Sequence, residues 1–291
     1  MKKKLLALTL AVLLALAPVC ALAETVVASF YPIYLFALNL TDGLPDVTVR
    51  SLAAPTSGCL HDYQLQTGDM KALSAADVFL INGAGMEGYL SNVFETFPAL
   101  PVVDASNGVE LLAEEEHGEM NAHVWLDASN AQRMVSNLAE GLTAALPAHA
   151  EAIAANRDAY LARLSALDQE LRDGLSALPR KDIVTFHEAF PYFANAYGLH
   201  VAAVINREPG DALSPAKLAA LVELIRSLGA PPLFVEPQYK DMAAQTISRE
   251  TGAPVYTLDP VVTGPEENVP LDYYETVMRR NMQVLQEALG D

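Results

Sequence analysis

The chain has 291 residues and carries 18 Lys and Arg against 36 Asp and Glu, so its formal net charge at pH 7 is −18. An acidic surface of this size repels the phosphate backbone of nucleic acids, which excludes DNA- and RNA-binding functions. The length suits one large or two medium domains, each with its own hydrophobic core.

The first 23 residues have the pattern of a secretory signal peptide. A basic start, Lys2 to Lys4, precedes an apolar run that ends at Val19, and Ala21-Leu22-Ala23 supplies the small-x-small pattern of a signal-peptidase site. The run is shorter than the roughly 20 residues of a membrane-spanning helix. We therefore predict an exported protein, periplasmic or at the cell surface, that is cleaved after Ala23; lipidation of Cys20 is the alternative.

Removal of residues 1–23 makes the chain more acidic. It leaves 15 Lys and Arg against 36 Asp and Glu, a formal charge of −21, and a single cysteine, Cys59. Because a lone thiol cannot form an internal disulfide, the fold must depend on its core alone. We interpret Cys59 as a small buried residue, although it lies two positions before a histidine.

Strand-like and helix-like runs alternate along the chain, which predicts an α/β fold with largely parallel sheets. In the first part, the predicted strands are 25–30, 46–52, 78–82 and 101–104, and the predicted helices are 32–40, 70–75, 89–97 and 132–146. In the last part, the predicted strands are 182–186, 201–205, 233–235 and 255–258, and the predicted helices are 189–197, 215–228, 240–251 and 273–289.

One long amphipathic helix is predicted between these two parts. Residues 148–178 contain no Pro and carry apolar side chains three, four or seven positions apart. Such a helix would span roughly 45 Å, more than a single lobe requires. We therefore predict a signal peptide (1–23), an N-terminal α/β lobe (24–147), a linking helix (148–178) and a C-terminal α/β lobe (179–291).

Three of the six histidines lie where a ligand site is expected. In parallel α/β sheets, ligands bind beyond the carboxyl ends of the strands. His187 directly follows a predicted strand, and Glu236 and Asp259 each follow another strand of the same lobe. In the first lobe, His61 follows a loop of turn-forming residues and His123 precedes a predicted helix. Of the other three histidines, His149 and His200 are interpreted as structural, and His117 lies in a short acidic loop.

These side chains indicate a metal site. Three imidazoles and one carboxylate suit a borderline cation such as Zn²⁺ in roughly tetrahedral coordination. A harder cation such as Mn²⁺ would prefer more carboxylate oxygens. We therefore predict Zn²⁺ rather than Mn²⁺ as the bound metal.

Seven segments in chain order resemble the zinc/manganese solute-binding proteins of ABC importers, the ZnuA-like group. The segments are Phe30-Tyr31-Pro32, Cys59-Leu60-His61-Asp62-Tyr63, Asn82-Gly83-Ala84-Gly85-Met86-Glu87, His123-Val124-Trp125-Leu126-Asp127, His187-Glu188-Ala189-Phe190-Pro191-Tyr192-Phe193, Glu236-Pro237-Gln238 and Leu258-Asp259-Pro260. The combination covers essentially the whole mature chain and is specific, although no single segment would be.

The resemblance implies two α/β lobes bridged by one long rigid helix, with the metal between them. It assigns the four metal ligands to His61, His123, His187 and Asp259, and it makes Glu236 a neighbour of the ligands rather than a ligand. Manganese-selective relatives typically have Glu at the third position. The histidine found there, His187, therefore favours zinc.

The resemblance also implies the partners of the protein. A monomeric receptor would bind Zn²⁺, dock on an ABC transporter permease and release the metal for transport driven by a cytoplasmic ATPase. Zinc-specific relatives often carry a long loop, rich in His and acidic residues, that is thought to gather or sense zinc. The short loop 114–119, which contains His117, is either a reduced version of it or a solvated charge run.

We expect a receptor rather than an enzyme, and two other functions are the alternatives. A zinc-dependent hydrolase would keep three protein ligands and an open position for water. It would require that Asp259 does not bind, with Glu188 or Glu236 as the general base. The second alternative is a surface adhesin with a structural metal, because some relatives have been described in that way.

Overall fold

The computed structural model describes residues 23–58, 60, 63–113, 120–205, 214–238 and 242–290. Several features of the sequence lie outside the described residues: the signal peptide up to Leu22 with Cys20, then Cys59, His61 and the loop 114–119 with His117. Among the residues that are described, no helix is long and apolar enough to cross a membrane.

Four parallel strands form the first sheet, in the order β2-β1-β3-β4. One of its two inner strands, β3, is apolar and buried at every position, as is typical of a parallel sheet covered on both faces. The strands are β1 (Glu24–Ala28), β2 (Val47–Ser51), β3 (Val78–Ile81) and β4 (Val102–Asp104), and the helices that join them are α1 (Tyr31–Leu40), α2 (Thr67–Ser74) and α3 (Leu90–Thr96).

Helices fill the segment between the two sheets. A 3₁₀ turn, Val124–Leu126, precedes α4 (Ala128–Ala145), and a second 3₁₀ turn, Pro147–His149, leads into α5 (Ala150–Ser176). Helix α4 begins earlier than predicted because the Asp127 carboxylate caps it, accepting a backbone N–H of the first turn at 2.7 Å.

The long predicted helix is confirmed as α5. Its 27 residues give it a length of about 40 Å. It begins two residues later than predicted because the 3₁₀ turn after Pro147 comes first. Six of its side chains are buried in one stripe: Ile153, Tyr160, Leu164, Leu167, Leu171 and Leu175.

The second sheet repeats the topology of the first. Its order, β6-β5-β7-β8, again places the first strand of the lobe between the second and the third, with all neighbours parallel. This confirms the predicted α/β class with two parallel sheets. The strands are β5 (Asp182–Thr185), β6 (His200–Val204), β7 (Leu233–Val235) and β8 (Val255–Thr257), and the helices are α6 (Pro191–Tyr197), α7 (Pro215–Ser227) and α8 (Met242–Thr251).

The last helix, α9 (Tyr273–Leu289), returns from the second sheet to pack on α5 and α1. At Gly174 of α5 the two helices are so close that an added Cβ would lie 2.4 Å from the sulfur of Met282. One continuous core therefore includes the first sheet, α5 and α9, whereas a smaller core lies between the second sheet and helices α7 and α8. The domain boundaries at residues 147 and 179 stay a prediction.

Candidate metal centre

His123 lies in the first lobe, directly before the 3₁₀ turn, and is buried. The side-chain oxygen of Asn121 accepts its backbone N–H at 3.0 Å and lies 3.1 Å from its ring Nδ1. An amide oxygen can only accept, so Nδ1 carries the proton in the neutral ring. The lone pair that can coordinate a metal is therefore on Nε2.

Asn121 also connects the two lobes. Its side-chain N–H donates to the backbone oxygen of Glu188 at 2.8 Å, which fixes the orientation of the amide. Its backbone oxygen accepts the Tyr192 hydroxyl at 2.9 Å, and that hydroxyl in turn accepts the N–H of Leu112 at 2.9 Å. Asn121 was not among the site residues predicted from the sequence. Only its position, two residues before a candidate ligand, could have indicated a role.

The loop after β3 supports the segment before His123 through its buried residues Asn82 and Glu87. Asn82, at the carboxyl end of β3, donates its side-chain N–H to the backbone oxygen of Ala122 at 2.9 Å. The loop is held by the Glu87 carboxylate, which accepts the N–H groups of Asn82 and Gly83 at 2.7 and 3.1 Å. Burial raises the pKa of Glu87 to about 7, and these two hydrogen bonds offset only part of the effect.

His187 and Glu236 form a buried pair in the second lobe. They follow the neighbouring parallel strands β5 and β7, so the sheet brings them to the same edge. His187 Nδ1 lies 2.6 Å from a Glu236 oxygen, and the other Glu236 oxygen accepts a side-chain N–H of Gln238 at 2.5 Å. Because the carboxylate accepts from Nδ1, the lone pair of the neutral His187 ring is again on Nε2.

The structure brings the two histidines together from opposite lobes. The ring centroids of His123 and His187 are 4.8 Å apart, with the rings almost perpendicular at 81°. Both rings are almost completely buried. Two imidazoles with their Nδ1 atoms hydrogen-bonded to oxygen are the arrangement seen around metal-binding histidines.

Asp259 follows β8 and forms three hydrogen bonds with the protein. Its backbone N–H and oxygen bond to the side chain of Asn281 at 2.9 and 2.7 Å, and one carboxylate oxygen accepts the N–H of Val261 at 2.8 Å. The pKa of Asp259 is raised to about 6, mainly by burial and in smaller part by the negative charge of Glu236. Buried carboxylates that repel each other favour a bound cation.

The predicted ligand set is only partly described. His61 and the accessory His117 lie outside the described residues, whereas His123, His187, Glu236 and Asp259 lie within them. Among the residues that are described, no three His, Cys, Asp or Glu side chains form a group that could hold a metal ion. The assignment of four ligands therefore stays a prediction.

The fold and this site define a class of two-lobed α/β binding proteins. Two parallel sheets of the same strand order flank a helix about 40 Å long, and buried imidazoles from both lobes meet between them. The family model described as zinc-uptake complex component A, periplasmic, matches residues 26–288. The chain therefore belongs to this family.

Curated relatives carry zinc- and manganese-binding names. The zinc-binding lipoprotein AdcA of Streptococcus pneumoniae is 29% identical over 279 residues, covering 90% of this chain and 55% of the relative. The manganese-binding lipoprotein MntA of Halalkalibacterium halodurans is 29% identical over 197 residues, covering 67% of this chain and 66% of the relative. The chain thus spans less than two thirds of the length of these relatives.

A solved structure shows which part of AdcA the chain resembles. The crystal structure of the Zn(II)-bound ZnuA-like domain of Streptococcus pneumoniae AdcA has a TM-score of 0.79 and 28% sequence identity. The match covers 92% of this chain and 99% of that domain. The likeness therefore extends over a whole metal-binding domain of the relative.

Proposed function

We propose that the chain is an extracytoplasmic zinc receptor that delivers Zn²⁺ to an ABC-type importer. The observation that carries this proposal is the pair His123 and His187: buried imidazoles from different lobes, 4.8 Å apart, each with Nδ1 bonded to an oxygen acceptor. Membership of the zinc-uptake family supports the same function.

The proposed site has four ligands, His61, His123, His187 and Asp259. Three nitrogens and one oxygen form a tetrahedral set that suits Zn²⁺ better than Mn²⁺. Four protein ligands leave no position for a reactive water, which argues for a carrier rather than a hydrolase. Because the ligands come from both lobes, a small separation of the lobes would weaken the site and release the metal.

The location and the partners follow from the same proposal. Both curated relatives are named lipoproteins, and the N-terminal pattern is that of an exported chain. Strand β1 begins at Glu24, so cleavage after Ala23 would leave the first sheet complete. With lipidation of Cys20 instead, the three residues 21–23 would connect the lipid-bearing cysteine to β1. We expect a monomer that docks on a membrane permease served by a cytoplasmic ATPase.

Thermal unfolding with and without zinc tests the proposal. A ligand that binds only the folded state at a hundredfold excess over Kd stabilises it by about 2.7 kcal/mol, so zinc should raise the melting temperature clearly. His123→Ala and His187→Ala should each reduce this rise. His200→Ala is the matched control, because His200 is exposed and pairs with Asp182. A zinc-dependent rise that survives both site substitutions would contradict the proposal.

A further inference from the structure

The segment that follows Asp259 crosses to the first lobe. We name residues 260–265 the strap. Near its end, the N–H of Gly264 donates to the backbone oxygen of Pro55 at 3.2 Å, and the hydroxyl of Tyr31 donates to the backbone oxygen of Pro265 at 3.1 Å. The strap therefore binds the first lobe through its own backbone groups.

The start of the strap is tied to the segment that carries His123. The indole N–H of Trp125, fully buried, donates to the backbone oxygen of Pro260 at 2.8 Å. The ring centroids of Trp125 and His123 are 5.2 Å apart. Pro260 directly follows Asp259, a candidate ligand of the second lobe. The hydrogen bond from Trp125 to Pro260 therefore links Asp259 to the surroundings of His123, a candidate ligand of the first lobe.

The strap contains a strained residue, Val261, two positions after Asp259. Val261 is fully buried and has a φ of +64°, a conformation that is unfavourable for a β-branched side chain. In this conformation its N–H meets the Asp259 carboxylate at 2.8 Å. Strain of this kind persists only where the surrounding structure imposes it, and it is concentrated at binding sites and ligand clamps.

The strap also approaches the first lobe too closely for a side chain at position 264. A Cβ added to Gly264 would lie 2.2 Å from the hydroxyl oxygen of Tyr31 and 2.5 Å from two of its ring carbons. The Tyr31 ring cannot easily retreat, because the Tyr273 ring packs edge-on against it at 5.8 Å and Tyr31 itself is buried. Glycine at this position therefore sets how near the strap lies to the first lobe.

We propose that the strap positions Asp259 against the first lobe, with Val261 and Gly264 as positioning residues for metal binding. Val261 orients the carboxylate, and Gly264 fixes the distance between the two lobes at the site. This inference rests on the proposed zinc-binding function. Under this inference, Val261 and Gly264 influence metal affinity although they are uncharged and are not ligands.

Zinc affinity of Gly264→Ala, measured by chelator competition on the purified protein, tests the inference. The added methyl group should lift the strap from Tyr31 and weaken zinc binding by about 10- to 100-fold, as for other residues that orient metal ligands. The visible absorption of bound Co²⁺ should change as well, because Asp259 is displaced. Gly68→Ala is the control, since a Cβ there meets nothing within 4 Å.

A rescue variant separates positioning from general destabilisation. Replacement of Tyr31 by Leu removes all three atoms that the new methyl group would meet, so Gly264→Ala/Tyr31→Leu should bind zinc more tightly than Gly264→Ala alone. If Gly264→Ala does not fold, Tyr31→Phe, which removes only the hydroxyl bond to Pro265, decides instead and should weaken binding several-fold.

Three results would overturn the inference. One is a zinc Kd of folded Gly264→Ala equal to that of the unaltered chain, even if its melting temperature falls. The second, if Gly264→Ala does not fold, is a zinc Kd of Tyr31→Phe equal to that of the unaltered chain. The third, no zinc binding by the unaltered chain, would overturn the proposed function and the inference with it, and is therefore distinguishable from the other two.

Discussion

At the scale of single residues, the site depends on which ring nitrogen carries the proton. Asn121 and Glu236 are chemically different, one a neutral amide and one a carboxyl group, yet both place an oxygen at the Nδ1 atom of a buried histidine. Each oxygen selects the tautomer that can coordinate metal through Nε2. Two different side chains therefore have the same role at the two histidines.

Replacement of Asn121 by Leu should weaken zinc binding by about 10- to 100-fold, because the His123 ring loses the acceptor that fixes its tautomer. Asn121→Asp keeps an oxygen at the same position and should retain most of the affinity. Chelator-competition titrations of both variants at fixed pH give the comparison. Equal losses in the two variants would show that the inter-lobe bond to Glu188, rather than the tautomer, is what Asn121 contributes.

His187→Glu should lower the ratio of zinc affinity to manganese affinity. The change replaces a nitrogen donor by a carboxylate, which suits Mn²⁺ better and can bind through two oxygens. The order should not invert, because Zn²⁺ still binds nitrogen and oxygen sites more tightly than Mn²⁺. Competition titrations with both metals give the ratio. An unchanged or increased ratio would mean that His187 does not determine selectivity.

At the scale of secondary-structure elements, the ends of parallel strands place the chemistry. The alternation of apolar runs predicts β5, β7 and β8, and the carboxyl-end rule then predicts the positions of His187, Glu236 and Asp259. His123 could not be placed in this way, because it lies before a 3₁₀ turn rather than after a strand. The pairing of Asn121 with His123 depends on a local turn that leaves no periodic pattern in the sequence.

The loop after β3 gives a prediction on the dependence of stability on pH. The folded-state pKa of Glu87, about 7, lies above its ordinary value of 4.5, so its contribution to stability is complete below pH 4.5 and is lost as the pH rises through 7. The expected loss of unfolding free energy is on the order of 3 kcal/mol. Glu87→Gln should therefore flatten the pH profile of stability between about pH 5 and 7.

Urea denaturation of the metal-free protein at several pH values measures this effect. Glu95→Gln, an exposed substitution on helix α3, is the control and should leave the profile unchanged. A Glu87→Gln variant whose stability varies with pH as much as that of the unaltered chain would show that Glu87 is not the group responsible.

At the scale of the whole molecule, the two sheets have the same strand order. One continuous core joins the first sheet, α5 and α9 to one face of the second sheet, and a smaller core covers the other face. The order of elements predicts two lobes and a long helix between them. It does not predict that α9 returns to α5 across the boundary, because the amphipathic pattern of residues 273–289 shows only that the helix has a buried face. The core that reaches both sheets favours a small relative movement of the lobes, which matches the proposed site with ligands from both lobes.

Native mass spectrometry with metal analysis decides whether one zinc ion binds between the lobes. The purified mature protein should carry one zinc ion per chain. The variant His123→Ala/His187→Ala should lose it, and the exposed control His200→Ala should keep it. A double variant that retains one zinc ion per chain, or an unaltered chain that binds none, would exclude a zinc site formed by His123 and His187.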